Sequence, residues 1–397
     1  MGHPGATLCQ VERPDRVCRH EPAACAGCGA DLAEAEQFGV ERRQVFDIPP
    51  ISVTVTEHLL VKRRCGCGAV TRGRAPEGVD APVQYGARAT AIVLFLYVGQ
   101  FLSKNRTAQA LGELFGTPIS GGTVATMARR GAAALADFTE RVREAITAAP
   151  VAHFDETGFR VDGRLAWVHS ASTGKYTLIT VHRRRGVEAM NAAGVLPGFS
   201  GVAVHDAWAP YDTYTHADHA LCNAHALREL QAVIDAAPAG QWCWADQAAD
   251  ALRQMKHLVD TALAADGALT GLDTAALAAA RHSFRSAVRI GRREAAQRAT
   301  TLMAKHHALA RRLIDRQDDY LRFTHDPRVP FDNNAAEQQI RMIKLRQKVS
   351  GCMRTLTGAQ QFCAIRSYLA TTAKHGISFF QSLVQLAEGQ PWMPATT

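Results

Sequence analysis

The sequence lacks any apolar run long enough to cross a bilayer. The longest, residues 89–102, is interrupted by Gly99 and Gln100 and falls short of the ~20 residues a transmembrane helix needs. The N-terminus also lacks a charged segment followed by an apolar one, the pattern of an export signal. Neither a membrane span nor export is expected, and the expected location is cytoplasmic. Internal repeats and low-complexity segments are missing as well, which excludes a solenoid. Acidic residues are in deficit: 37 Asp and Glu against 45 Lys and Arg give a net charge of +8 and a pI near 9.1. That balance favours a polyanionic partner without saying which one. In a reducing cytoplasm the ten cysteines stay free, so clustered ones point to metal ligation before disulfides. At 397 residues, 47% apolar and 21% charged, the chain is an ordinary soluble globular protein with room for two or three domains.

Residues 1–19 are polar and carry isolated Cys9 and Cys18, so a flexible N-terminus is expected. A cysteine pattern opens at Cys25-Ala26-Gly27-Cys28 and closes at Cys65-Gly66-Cys67-Gly68. Between the two, residues 45–48, 51–55 and 59–61 read as short strands. Paired cysteines, each pair followed by glycine and bracketing strands, describe a zinc ribbon over residues 20–75. Cys25, Cys28, Cys65 and Cys67 would hold one structural Zn²⁺. The second pair has one spacer instead of two, and four unrelated thiols are the alternative. His20 is a further candidate ligand, though a surface histidine is the commoner use. Residues 72–81 are rich in Gly and Pro and read as a linker. Helices are then expected at 87–102, 107–115 and 121–142, with a turn at 117–120. This is the outline of a helix-turn-helix within a helical domain of residues 82–147. Arg129 and Arg130 on the last helix are its candidate DNA contacts. A helical connector that touches no DNA is the alternative.

From residue 151 the pattern turns to strands. Residues 151–159 lead into Asp162-Gly163, a hairpin signal, and residues 165–170 and 176–181 continue the sheet. A helix at 187–193 and a strand at 201–206 complete an α/β core within a catalytic domain of residues 148–376. Residues 227–236, 242–265, 274–312 and 313–323 all read helical, as an insertion spanning about residues 227–325. A C-terminal helix and tail occupy 377–397, with fraying expected from Gly389.

Three acids stand at the ends of core elements: Asp155 on the first strand, Asp206 on a later strand and Glu337 on a late helix. Such a set can bind two catalytic Mg²⁺ ions, with Mn²⁺ as a substitute, and so activate a water or a 3′-hydroxyl. Glu156 rivals Asp155, but neighbours on a strand face opposite ways, so only one enters the site. Turn acids at strand ends are the alternative. Before Glu337, Pro330, Asp332, Asn333 and Asn334 form a turn. Asn334 can cap a helix in which Glu337 is the third residue. Ile340, Arg341 and Lys344 share a face with Glu337, and Arg341 and Lys344 are candidate phosphate contacts. The alternative is a capping box in which Glu337 returns to the Asn334 N–H.

Other residues carry two readings each. Cys222 and His225 are a metal-ligand pair or a buried thiol beside a hydrogen-bonded histidine, no second pair being evident. Arg228 touches DNA or braces Glu229. Trp208 and Trp244 stack on a base or pack in the core. Between residues 281 and 312 stand nine Lys or Arg and one acid, Glu294. Arg281, Arg285, Arg289, Arg292 and Arg293 recur at helical spacing. Arg285, Arg289 and Arg293 are candidate DNA contacts, against a solvated face.

Taken in order, several pieces together resemble the insertion-sequence-66 family of bacterial transposases. They are the Cys25/Cys28/Cys65/Cys67 ribbon, Phe154-Asp155-Glu156-Thr157 and His205-Asp206-Ala207-Trp208-Ala209-Pro210-Tyr211. Next come Cys222-Asn223-Ala224-His225-Ala226-Leu227-Arg228-Glu229-Leu230, Asp332-Asn333-Asn334-Ala335-Ala336-Glu337 and Lys348-Val349-Ser350-Gly351. The likeness runs from about residue 20 to 392. Two features depart from it. Such proteins usually begin with a longer coiled-coil segment, and Gln338 stands where a basic residue commonly follows the glutamate. The resemblance implies a ribonuclease-H-like catalytic domain of the DDE type, interrupted by a helical insertion, with Asp155, Asp206 and Glu337 as its metal-binding acids. The expected activity is cleavage of an insertion element's ends and joining of the 3′-ends to target DNA. A non-catalytic DNA-binding regulator and a nuclease without joining activity are the alternatives. The expected partner is double-stranded DNA, bound by a nucleoid-associated homo-oligomer, with accessory proteins of the same element as candidates and no membrane.

Overall fold

The computed structural model describes residues 7–395, apart from residue 239 and residues 297–299. The chain divides into two units, residues 1–55 and residues 56–397. Part of the expected flexible N-terminus, residues 1–6, lies outside the described residues.

In the first unit the ordered feature is a knuckle. A bridge between Ala24 and Asp31 closes it. The Cys25 N–H donates to the Ala30 carbonyl at 2.8 Å, and the Gly29 N–H returns to the Cys25 carbonyl at 2.9 Å. Gly29 has φ +75°, a left-handed turn that glycine adopts without strain. The strands expected at 45–48 and 51–55 do not form. Val45, Ile48 and Val55 are exposed, and an alternating pattern settles into a strand only where one face is buried.

The second unit opens with a hairpin, β1 (Lys62–Arg64) and β2 (Val70–Arg72), antiparallel. The strand expected at 59–61 is displaced to residue 62 onward, and the cysteine turn sets it there. The Cys65 N–H donates to Ala69 O at 2.8 Å and Gly68 N–H to Cys65 O at 2.9 Å, repeating the geometry of the first knuckle. The expected linker carries no regular element after β2.

Four helices follow. α1 (Ala87–Leu94) runs into a π turn, Phe95–Gly99, and stops at Phe101, where φ is +61°. α2 (Lys104–Phe115) begins at a Ser103 side-chain cap and ends at left-handed Gly116. α3 (Gly121–Ala133) is capped by Ser120. The helix expected over 121–142 is broken: Leu135 leaves helical geometry (ψ 11°), and α4 (Ala136–Thr147) restarts with its own buried stripe of Phe138, Val142 and Ile146.

The sheet comprises β3 (Val151–Val161), β4 (Arg164–Ser172), β5 (Thr177–His182), β6 (Val202–His205) and β7 (Asp218–Leu221), in the order β5-β4-β3-β6-β7. β3, β4 and β5 are antiparallel neighbours, whereas β6 and β7 run parallel to β3. Asp162 and Gly163 make the expected tight turn, both with positive φ. α5 (Val187–Ala193) crosses from β5 toward β6. β7 was not expected: four residues at the sheet edge carry too little pattern to read. The insertion consists of α6 (Asn223–Asp235), α7 (Trp244–Asp266), α8 (Thr274–Ala296), α9 (Thr301–Asp315) and α10 (Gln317–Leu321). The segment expected as one helix over 274–312 is therefore two, with Thr300 capping the second. α11 (Asn334–Ser350), α12 (Leu356–Lys374) and α13 (Phe379–Ala387) end the fold. Among the described residues no helix is long and apolar enough to cross a membrane.

Two hydrophobic cores result. One joins α1–α4, the sheet and α11–α13, with Phe138 meeting Tyr368 edge-to-face at 5.0 Å between ring centroids. The other joins Val202, Val204 and Ala220 of β6 and β7 to the insertion helices. The tail does not fray at Gly389. The Trp392 ring lies 4.6 Å from His375, and the Trp392 backbone N–H donates to the Tyr368 hydroxyl at 3.0 Å.

α7 and α8 pack so closely that a Cβ on Gly291 would overlap the Trp244 indole. Alanine gains about 1 kcal/mol of helix propensity over glycine, but overpacking a rigid ring costs about 1–3 kcal/mol. Gly291→Ala is therefore expected to destabilise the protein by up to about 2 kcal/mol. Urea unfolding checks the sign, since a stabilised variant would mean the helices separate freely.

Candidate active site

The parallel ladder of β3 and β6 pairs Val151 with Val202, Ala152 with Ala203 and His153 with Val204. Continuing that register past its last pair sets Asp155 level with Asp206. Asp155 is half-buried and its Oδ1 accepts only the Glu156 N–H, at 2.9 Å, among the described hydrogen bonds. Burial foremost, then the charges of Glu156, Asp206 and Glu337, push the Asp155 carboxyl up to about 7. Asp206 accepts the Trp208 N–H at 3.0 Å. Between them Ala207 is left-handed (φ +68°), a costly conformation for a residue with a Cβ and one that gathers at functional sites.

Glu156 faces the other way, as strand alternation requires. Its side chain is 1% exposed, takes an ion pair from Arg185 at 2.8 Å and accepts the Tyr211 hydroxyl at 2.8 Å. The Arg185 guanidinium is stacked between Trp208 at 3.9 Å and Trp167 at 4.6 Å. Glu156 is thus fully partnered and Asp155 is not. Trp208 packs on Arg185, and Trp244 is buried in the insertion core.

Helix α11 corrects the expected cap. Asn333, not Asn334, occupies the cap position, and its side chain makes no cap bond. It donates to Phe154 O at 2.8 Å and meets His153 Nδ1 at 2.9 Å, fastening the start of α11 to β3. The Asn334 N–H goes to Asp332 at 3.0 Å. Glu337, the fourth helical residue, makes no capping box. Its carboxylate, 15% exposed, lies 3.1 Å from Arg341, 3.8 Å from Arg228 and 3.7 Å from His225. Arg228 consequently does not brace Glu229, which pairs with Arg312 at 2.6 Å.

Carboxylates converging on Asp155 without a cation suit a hard, oxygen-seeking ion such as Mg²⁺, so Asp155 and Asp206 fit one. Glu337 influences Asp155, but the acids do not gather as one tight ligand set. Among the described residues, the group whose ligand atoms all lie within 4.8 Å of one another is Cys222, His225 and Glu337. Sequence spacing showed the Cys222–His225 pair but not its third member.

The cysteine knuckles also fit a metal. Backbone N–H groups of Cys28 and Gly27 lower the Cys25 thiol pKa, and those of Cys67 and Gly66 lower that of Cys65. That is how a knuckle prepares thiolate ligands.

Of the expected DNA contacts, Arg129, Arg130, Arg289, Arg293 and Lys344 are exposed and have no ion pair among the described residues. Arg285 donates to Gln317 at 3.1 Å. With Arg289, Gln317 and Asp318 it lines a recess of about 380 Å³. Arg281 leaves the stripe: its guanidinium is bonded to Thr324. The charges of Arg311 and Arg312 are offset by Asp315 and Glu229.

Comparison with protein families identifies the class as a DNA-processing one. A model described as the zinc-finger binding domain of transposase IS66 matches residues 22–68, which include all four knuckle cysteines and support a structural zinc. The model described as Transposase IS66 family matches residues 82–361. That is more than half of the chain, and the protein belongs to this family. A search of curated proteins finds no match.

The Asp155 pKa has a consequence for stability. A carboxyl whose folded pKa is raised stabilises the fold at low pH, and that stability is lost as pH rises through about 7. Without Mg²⁺, Asp155→Asn should be more stable than the parent at pH 8 by about 2–4 kcal/mol, water in the cleft reducing the upper figure. The advantage should shrink toward pH 4. Urea unfolding at both pH values tests this, and an equal difference at each would show that Asp155 titrates normally.

Proposed function

We propose that this transposase cleaves the ends of an insertion element and joins the 3′-ends to target DNA by two-metal phosphoryl transfer. The observation that carries the reading is the register that sets Asp155 beside Asp206, with Glu337 approaching on α11. Three antiparallel strands followed by two parallel ones, with an acid on the first and another just past the end of the fourth, support a ribonuclease-H-like core of the DDE type.

Bound Mg²⁺ or Mn²⁺ would supply the Lewis acidity that polarises phosphate oxygens and activates the nucleophile. Asp155 and Asp206 hold the cations, and Glu337 completes the carboxylate set from the helix. Asn333 keeps the start of that helix on β3. Arg228 and Arg341, both mostly exposed beside Glu337, meet phosphates entering the cleft, as does Lys344. Arg129 and Arg130 on α3 bind DNA through the helix-turn-helix-like segment. Cys25, Cys28, Cys65 and Cys67 hold the single structural Zn²⁺. A homo-oligomer on the nucleoid DNA is the working assembly, with accessory proteins of the element as candidate partners.

Purified protein, labelled element ends, Mg²⁺ and a target plasmid test the activity. Joined product is expected. Cleavage without joining would identify a nuclease, and a retarded band alone a regulator. Asp155→Asn, Asp206→Asn and Glu337→Gln should each abolish cleavage and joining while DNA binding persists. A Glu337→Gln protein with near-normal turnover would remove Glu337 from the chemistry.

The exposed arginines of α8 give a separate expectation. Arg285, Arg289 and Arg293 grip flanking DNA through its phosphates, so they contribute affinity without sequence preference. The triple change to Gln should weaken binding to all sequences alike and reduce the salt slope by up to ~0.9 per lost phosphate contact. Unchanged affinity and slope would return the stripe to a solvated face.

A further inference from the structure

Cys222, His225 and Glu337 form a cluster that the paired aspartates leave unexplained. β7 ends at Leu221, and Cys222 stands at the cap position of α6. His225, three residues later, lies on the same side of the first turn. Glu337 comes to them from α11. A thiol sulfur, an imidazole nitrogen and a carboxylate oxygen thus lie within 4.8 Å of one another.

His225 Nδ1 is buried and has no hydrogen-bond partner. It stands 3.7 Å from Glu337 Oε1, beyond hydrogen-bonding distance. Leaving such an atom orphaned costs about 1–3 kcal/mol, and folded proteins keep one mainly where an ion or a function uses it. Around a tetrahedral Zn²⁺, bonds of ~2.0–2.3 Å place neighbouring ligand atoms roughly 3.3–3.8 Å apart, and the His225–Glu337 spacing falls in that range. The thiol is already oriented: the Asn333 N–H donates to Cys222 Sγ at 3.2 Å, the kind of outer contact that aims a metal ligand.

We propose that Cys222, His225 and Glu337 bind a divalent ion of the Zn²⁺ class at a site distinct from both the cysteine knuckles and the aspartate pair. Sulfur and imidazole donors select against Mg²⁺, which prefers oxygen. Three protein ligands leave one tetrahedral position open to water or a phosphate oxygen. Glu337 is the shared member, so an ion bound there holds its carboxylate on the α6 side. The site rests on side-chain geometry and stands whether or not the chain joins DNA ends.

The test is metal content. Full-length protein in excess Mg²⁺, which saturates oxygen-only sites, is titrated with Co²⁺, and bound cobalt is measured by elemental analysis after gel filtration. His225→Ala should lose one cobalt per chain at an unchanged melting temperature. His225 is partly exposed, so the fold tolerates the change. In a Cys25→Ser/Cys65→Ser background, which removes the knuckle site, the remaining cobalt should show a thiolate charge-transfer band that Cys222→Ser abolishes. Equal cobalt in the parent and His225→Ala overturns the proposal, as does a band that survives Cys222→Ser.

Discussion

The parallel pairing of β3 with β6 is the constraint on which the acidic cleft depends. It is only a few residues long, yet it decides which acid faces which. A slip of one residue would turn Asp206 to the opposite face and bring His205 or Ala207 level with Asp155. Two features hold the register. Below the sheet and above it, Ala203 and Val204 enter different hydrophobic cores, so a slip would exchange their environments. Beside it, Asn333 is bonded to both Phe154 and His153 of β3, which ties the arrival of α11 to the same strand.

Asp155 and Glu156 show how one peptide step separates two fates. Glu156 is more deeply buried, but Arg185 and Tyr211 satisfy its oxygens. A buried pair of this kind roughly breaks even against desolvation, and breaking it costs about 3–5 kcal/mol. Its role is to lock β3 to the segment carrying Arg185 and to seat Trp208 next to Asp206. Asp155 has no such cation among the described ion pairs and feels the charges of Glu156, Asp206 and Glu337. The fold tolerates that repulsion because Asp155, its pKa raised to about 7, takes up a proton.

The helical insertion shares its core with β6 and β7, and its first turn reaches the acids. Cys222, His225 and Arg228 stand on or just before α6, and Glu337 lies among them. Asn223 donates to the Tyr320 carbonyl at 2.8 Å, so both ends of the insertion are fastened together where it leaves the sheet. Farther out, α8 keeps Arg289, Arg292 and Arg293 exposed. The insertion therefore supplies charge to the surroundings of the cleft while packing on β6 and β7 at one side of the sheet.

Where structure is set by neighbours in the chain, the sequence alone was sufficient. The Asp162-Gly163 turn, the bounds of α5 and the two cysteine knuckles follow from local residue chemistry. The opposite facing of Asp155 and Glu156 was legible for the same reason, since strand alternation is a short-range rule, although Asp155 lies within β3 and not at its end. Contacts between distant residues were not. Val45, Ile48 and Val55 alternate like a strand but bury nothing. Asn333 sits in a capping sequence yet reaches β3, some 180 residues away. Leu135 breaks a continuous helical pattern so that α4 can bury its own face. Whether Arg228 met Glu229 or Glu337, and whether Cys222 and His225 had a third partner, depended on how α6 and α11 pack. A residue's conformational preference is written in its own side chain and its nearest neighbours, whereas its partner across the fold exists only once chain entropy has been overcome and the elements have docked.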